Sequence, residues 1–181
     1  MKKLLFSFVL LAFLSCQKQD AIVETPVEQP QFKLLASRDN KGVAAKVNSQ
    51  VWYSLTTAVT DYSAVQGGIN PAELTLIASG GLEGQAASRA NRITIFMNAV
   101  TAVGTYNLGG TNASYAVYTT QATDGSLLNY KTDATRTGTV QVTTYDTQKK
   151  VISGFFSFQA TTTAGSVEVK EGEFQNVPLS K

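Results

Sequence analysis

The chain has 181 residues, with 15 basic and 13 acidic side chains, no histidine and one cysteine. The lack of histidine excludes Ser-His-Asp and Cys-His catalytic arrangements and every zinc site built on histidine. Two of the basic residues are Lys2 and Lys3, so residues 16–181 balance 13 bases against 13 acids, and no basic run interleaved with aromatics points to a nucleic-acid partner.

Residues 1–15 read as a secretory signal peptide. Lys2 and Lys3 precede an apolar run from Leu4 to Leu14 broken only by Ser7, and Ser15 supplies the small residue before Cys16. That run falls well short of the ~20 residues a membrane-spanning helix needs. A cysteine at this place resembles a bacterial lipobox, although Phe13 stands where Leu is usual. Cys16 is then the expected lipidation site and the first residue of the mature chain. Two or three acyl chains make a stable anchor, since each buried CH₂ contributes ~0.8 kcal/mol and one chain binds only marginally. The plainer alternative is a secreted protein with an incidental cysteine. Gln17-Lys18-Gln19-Asp20 resembles the short charged signal that sends some Bacteroidota lipoproteins to the cell surface; its plain alternative is a polar start to a linker. Residues 16–40 read as that linker. Pro26 and Pro30 lie among Glu24, Glu28, Gln29 and Gln31 with no strand or helix period, so a mobile tether is expected. About twenty such residues reach ~25 Å.

The folded part is expected over 41–181. Residues 42–48 and 51–60 read as strands, the second with Val51, Tyr53, Leu55 and Val59 on one side and Trp52 on the other. A loop is expected over 66–71. A strand over 73–79 is expected to end at Gly80-Gly81-Leu82-Glu83-Gly84, followed by a short helical turn over 85–91. Strands are expected again over 92–98, with Ile93, Ile95 and Met97 on one face, then over 104–108, 113–119 and 127–132, with Asp124-Gly125 as a turn. The clearest signal is a hairpin. Residues 138–145 alternate cleanly, 146–149 form a polar connection, and 150–161 put Ile152, Gly154, Phe156 and Phe158 on one face. In the last strand Val167 and Val169 are odd while Phe174 is even. A β-bulge near Gly172 is expected to return both to one core. The fold class is therefore all-β, an antiparallel β-sandwich or a partly open β-barrel.

Several stretches recur together in a familiar order: Ala45-Lys46-Val47-Asn48 with Trp52, Gly104-Thr105-Tyr106-Asn107-Leu108, Ile152-Ser153-Gly154-Phe155-Phe156-Ser157-Phe158 and Gly172-Glu173-Phe174-Gln175-Asn176-Val177-Pro178. Across roughly residues 42–178 the chain resembles an uncharacterised family of Bacteroidota lipoproteins, a domain of unknown function. The resemblance implies a small lipid-anchored envelope protein and carries over no catalytic residue.

Chemistry is sparse in the remaining residues. Glu171 and Glu173 would share a strand face and are the nearest to a glycosidase pair. The simpler expectation is that Glu168, Lys170, Glu171 and Glu173 form a solvated face. Asp124, Asp133 and Asp146 fall in expected turns, where Asp bonds its own backbone. No loop has the acid density for calcium, so no metal and no cofactor are expected. Tyr53, Tyr106, Tyr115, Tyr118 and Tyr130 are candidate contacts for a ligand or partner, a glycan or a protein. The leading expectation is an outer-membrane lipoprotein, attached to the membrane through acyl chains on Cys16, whose domain binds or supports without catalysis. The alternatives are a carboxylate-only enzyme such as a glycosidase, and a small barrel holding an apolar ligand among Ile95, Phe156 and Phe158.

Overall fold

Period-two alternation puts one side of each strand in a shared interior. Leu74, Leu76 and Ala78, Ile93, Ile95 and Met97, Val140 and Val142, and Ile152, Phe156, Phe158 and Ala160 are all buried. The computed structural model describes residues 31–56, 61–66 and 73–180. Among them lie a short 3₁₀ turn, Leu35–Ser37, and the strands β1 (Gly42–Val47), β2 (Gln50–Ser54), β3 (Tyr62–Gln66), β4 (Leu74–Leu82), β5 (Ser88–Met97), β6 (Gly104–Leu108), β7 (Tyr115–Gln121), β8 (Leu127–Lys131), β9 (Gly138–Asp146), β10 (Val151–Thr162) and β11 (Gly165–Ser180).

Eight strands close a ring in the order β1-β11-β10-β8-β7-β5-β4-β2, every neighbour antiparallel. The fold is thus the barrel of the two expected architectures. The joint between β10 and β8 is a single pair, Thr161 with Lys131. The other strands lie outside the ring. β3 pairs with the first part of β4 and, in parallel, with the end of β11. β9 forms the expected hairpin with β10, and β6 adds to β9. Inside the ring, the Phe156 ring stands 6.2 Å from Phe158 and 6.4 Å from Phe174, with Trp52, Ile93 and Ile95 buried in the same cluster.

The register problem of β11 is solved twice. Phe156 pairs with Gly172 but Phe158 with Val169; Ile152 pairs with Val177 but Gly154 with Phe174. In both intervals β11 carries one residue more than β10, and Glu171 (φ 48°) and Asn176 (φ 50°) take up left-handed backbone there. Val167, Val169, Phe174, Val177 and Leu179 are therefore all buried although their parity switches twice. The first bulge is the expected one, with Glu171 as its left-handed residue. Gly172 serves close packing instead, because an added Cβ would lie 2.5 Å from the Phe156 ring.

Other expectations change. Gly80, Gly81 and Leu82 continue β4 rather than ending it. An added Cβ at Gly80 would collide with the Tyr53 carbonyl oxygen, and one at Gly81 would lie 2.8 Å from Ala87 Cα, so these glycines admit neighbouring backbone. Residues 85–91 form no helical turn. Ser88 to Asn91 belong to β5, with three extra residues between the pairs Ser79–Arg92 and Gly80–Ser88. Cross-strand pairing there outweighs the weak local preference for a helix. β3 was not expected, and Gln66 ends it rather than opening a loop. The rest of that loop, 67–71, and residues 57–60 of the expected second strand lie outside the described residues.

Gly154 faces β9 and Phe174 at once: an added Cβ would collide with the Gln141 carbonyl oxygen and sit 2.6 Å from the Phe174 ring. Gly154→Ala is expected to destabilise the barrel by about 1–3 kcal/mol or more, through overpacking. Urea denaturation measures it, and an unchanged midpoint would mean that β9 and β10 are not packed this way.

Candidate functional site

The first bulge decides what two neighbouring acids do. Glu171, on left-handed backbone, projects to solvent and pairs with Lys46 at 2.7 Å. Glu173 sits between Gly172 and Phe174, whose positions face the core, and so faces outward; yet it is only 3% exposed. It is buried because the chain before β1 lies across it. Its Oε1 accepts the backbone N–H groups of Lys33 (2.7 Å) and Leu34 (3.0 Å), and its Oε2 that of Leu35 (2.9 Å). The solvated face expected for this stretch holds for Lys170 and Glu171 and, in part, for half-buried Glu168; it fails for Glu173.

Residues 31–38 thus form a strap. Phe32 stacks on Phe155 with ring centroids 4.5 Å apart, and Leu35 is buried. The Arg38 and Asn40 N–H groups return to the Leu35 carbonyl, and the Arg38 guanidinium lies 4.0 Å over the Tyr53 ring. The last part of the expected linker is therefore docked on the barrel; residues 16–30 lie outside the described residues, as does Cys16.

Phe155 lines two grooves on the outer face. One, of about 430 Å³, runs between the strap and β9–β10 and is lined by Gln31, Lys33, Thr139, Gln141, Phe155 and Ser157, with Glu171 and Glu173 at one side. The other, of about 550 Å³, is shared by Phe32, Val103, Thr105 and Thr143. Across the floor of the first, Gln141, Phe155 and Glu173 are direct cross-strand neighbours.

The family model described as a domain of unknown function (DUF6252) matches residues 70–178. The chain belongs to this family. No curated protein and no solved structure matches it. The DUF6252 match is shorter than the resemblance read from the sequence, which began near residue 42. It spans the stretch from β4 to Pro178, hence six of the eight ring strands and the β9, β10 and β11 sides of the groove. β1 and β2, which complete the ring, and the strap lie before it.

The five tyrosines do not converge. Tyr53 lies under Arg38 on β2, and Tyr106 on β6 donates its hydroxyl to the Ala102 carbonyl at 2.7 Å. Tyr115 is stacked on Phe96 with the Lys131 ammonium 4.0 Å over its ring. Tyr118 is buried beside its cross-strand partner Tyr130, and burial pushes its phenol above the ordinary value. Ile95, Phe156 and Phe158 lie in the packed core, and Trp52 is buried there too. Among the described residues no group of three or more metal-ligating side chains converges. Buried Asp61 is paired with Arg89 at 3.1 Å. The Phe32–Phe155 stack and the Glu173 clamp escaped the sequence reading, because Phe32 lay in a stretch without period and Glu173 in a run of charges.

The turn aspartates bond backbone as expected. Asp124 is held below its ordinary value of 3.8 by the Ser126 hydroxyl and N–H, Asp133 by the N–H groups of Arg136 and Thr135, and Asp146 by that of Lys149. A lowered carboxylate supports the fold above its unfolded pKa, and that support is lost as pH falls through the folded one. Stability from these turns is therefore expected to hold down to about pH 5 and to decline below about pH 4. Urea midpoints across that range check it, and Asp133→Asn should make the acid decline shallower.

Glu173→Gln keeps the shape but sets an amide N–H₂ against a strap N–H. It is expected to cost about 1–3 kcal/mol and to open the strap to trypsin at Lys33 and Arg38. Equal cleavage rates in the variant and the parent would show that the clamp does not hold the strap.

Proposed function

We propose that this chain is a lipid-anchored lipoprotein of the Bacteroidota cell envelope, held at the outer membrane by acyl chains on Cys16, and that its barrel is a non-catalytic binding or structural domain. Membership of DUF6252 supports an envelope role only through the resemblance. The signal-like segment and Cys16 support the anchor. The observation that carries the reading is the docked strap. A tether starting at Cys16 reaches the barrel at Gln31, fifteen residues on, where the chain enters along one defined face. Fifteen residues span at most ~50 Å when fully extended. The barrel is then confined near the bilayer, with the strap setting where the tether leaves it.

The acids support a non-catalytic reading. A glycosidase needs two carboxylates facing across a cleft with room for the sugar. Glu171 is engaged by Lys46, and both oxygens of Glu173 are engaged by the strap.

The parent protein is expected to sediment with the outer membrane and to incorporate labelled palmitate, and Cys16→Ser to lose the label and leave the membrane fraction. A variant that stays with the membrane as firmly as the parent would overturn the anchor.

A further inference from the structure

We propose that the groove between the strap and the outer face of β9–β10 binds a neutral glycan, one hexopyranose unit lying against Phe155. The inference rests on the binding-domain reading and names its ligand class.

The backbone under the groove is fully used. β10 pairs with β9 on one side and β11 on the other through Phe155 and Phe156; β9 is paired with β6 as well, and β11 with β1. An extended peptide that recognises a free strand edge finds no open ladder there. Recognition falls to side chains, and those of Gln31, Thr139, Gln141 and Ser157 make no hydrogen bond among the described residues. Each can both donate and accept. That matches a ligand made of hydroxyls, which also donate and accept. Phe155, one ring face of which is covered by Phe32, turns its remaining apolar surface to this groove for the C–H side of a sugar ring. The groove, at about 430 Å³, has the size of a small-molecule site.

Charge narrows the ligand further. Lys33 forms no ion pair among the described residues, while Glu171 is neutralised by Lys46 and the charge of Glu173 lies behind three N–H groups. Among the described residues no cluster of cations lines the groove to hold a phosphate or sulfate: Lys33, and Lys46 paired with Glu171, stand against the two acids Glu171 and Glu173. A neutral ligand fits this balance.

The strap supplies Gln31 and Lys33, so the groove is complete only when Glu173 holds the strap down. Glu173 is in this respect a positioning residue.

The test is an NMR titration of the full-length lipidated protein in phosphocholine micelles, which carry no sugar, with maltohexaose, cellohexaose, N-acetylchitohexaose and, separately, penta-alanine. At least one hexasaccharide is expected to shift the Gln31 and Gln141 side-chain amide resonances saturably. Gln141→Ala is expected to weaken that binding by about five-fold or more, and Phe155→Ala at least as much. Phe155→Ala also removes the Phe32 stack, so Gln141→Ala, an exposed change on β9, decides the matter. No saturable shift with any sugar, unchanged affinity in Gln141→Ala, or a response to penta-alanine alone would each overturn the proposal. Chromatography of the recovered sugar separates the two readings: cleaved sugar would end the non-catalytic reading and leave the groove standing as a sugar site.

Discussion

A carboxylate taken out of water must find donors, because leaving it buried and unpaired costs several kcal/mol. Glu173 meets that condition with three backbone N–H groups from a part of the chain some 140 residues earlier. The rest of the molecule's outer face follows from this one arrangement. The strap can lie flat only because the acid accepts its otherwise unpaired amides, and the acid stays buried only because the strap covers it. Phe32 is thereby brought onto Phe155, Leu35 into the interior, and Gln31 and Lys33 to the rim of a groove.

The clamp in turn depends on how β11 is built. A sixteen-residue strand serving a curved barrel cannot keep one parity along its length. β11 changes parity at Glu171 and again at Asn176. Between the two changes, Phe174 points in and Glu173 out. Without the first change, Glu171 and Glu173 would keep the parity of Val167 and Val169 and turn toward the core; with it, one pairs with Lys46 at the surface and the other anchors the strap. The bulges also let β11 serve β10, β1 and β3 at once, which brings the ring together and attaches the outer strands.

Much of the fold was legible before any tertiary contact. The alternation of Ile93, Ile95 and Met97, of Val140 and Val142, and of Ile152, Phe156 and Phe158 marked buried faces because a sheet with one side in the core imposes a period of two. Even the bulge before Phe174 could be read, since two buried sets of opposite parity need an extra residue between them. Glycine was harder to read. Gly80 and Gly81 look like breakers, but they lie inside β4 where Tyr53 and Ala87 come too close for a side chain. The site was the least legible part. The tyrosines drew attention as amphipathic rings, yet each is occupied locally by a carbonyl, a cation or another ring. The residues that line the groove, Gln141, Ser157 and Phe155, are ordinary outward positions of a hairpin and become a set only when the strap closes over them.

Composition, alternation and turn chemistry thus determined an all-β chain without histidine, its main hairpin, its core faces and the likeness to an uncharacterised family. These are local properties, set by which side chains a strand shows to each face. Closure into a ring, the pairing of β11 with three partners and the burial of Glu173 were decided by tertiary structure alone. Each joins residues far apart in the chain, and an acid's role there depends on which amides the fold brings to it, a fact that no local pattern around the acid records.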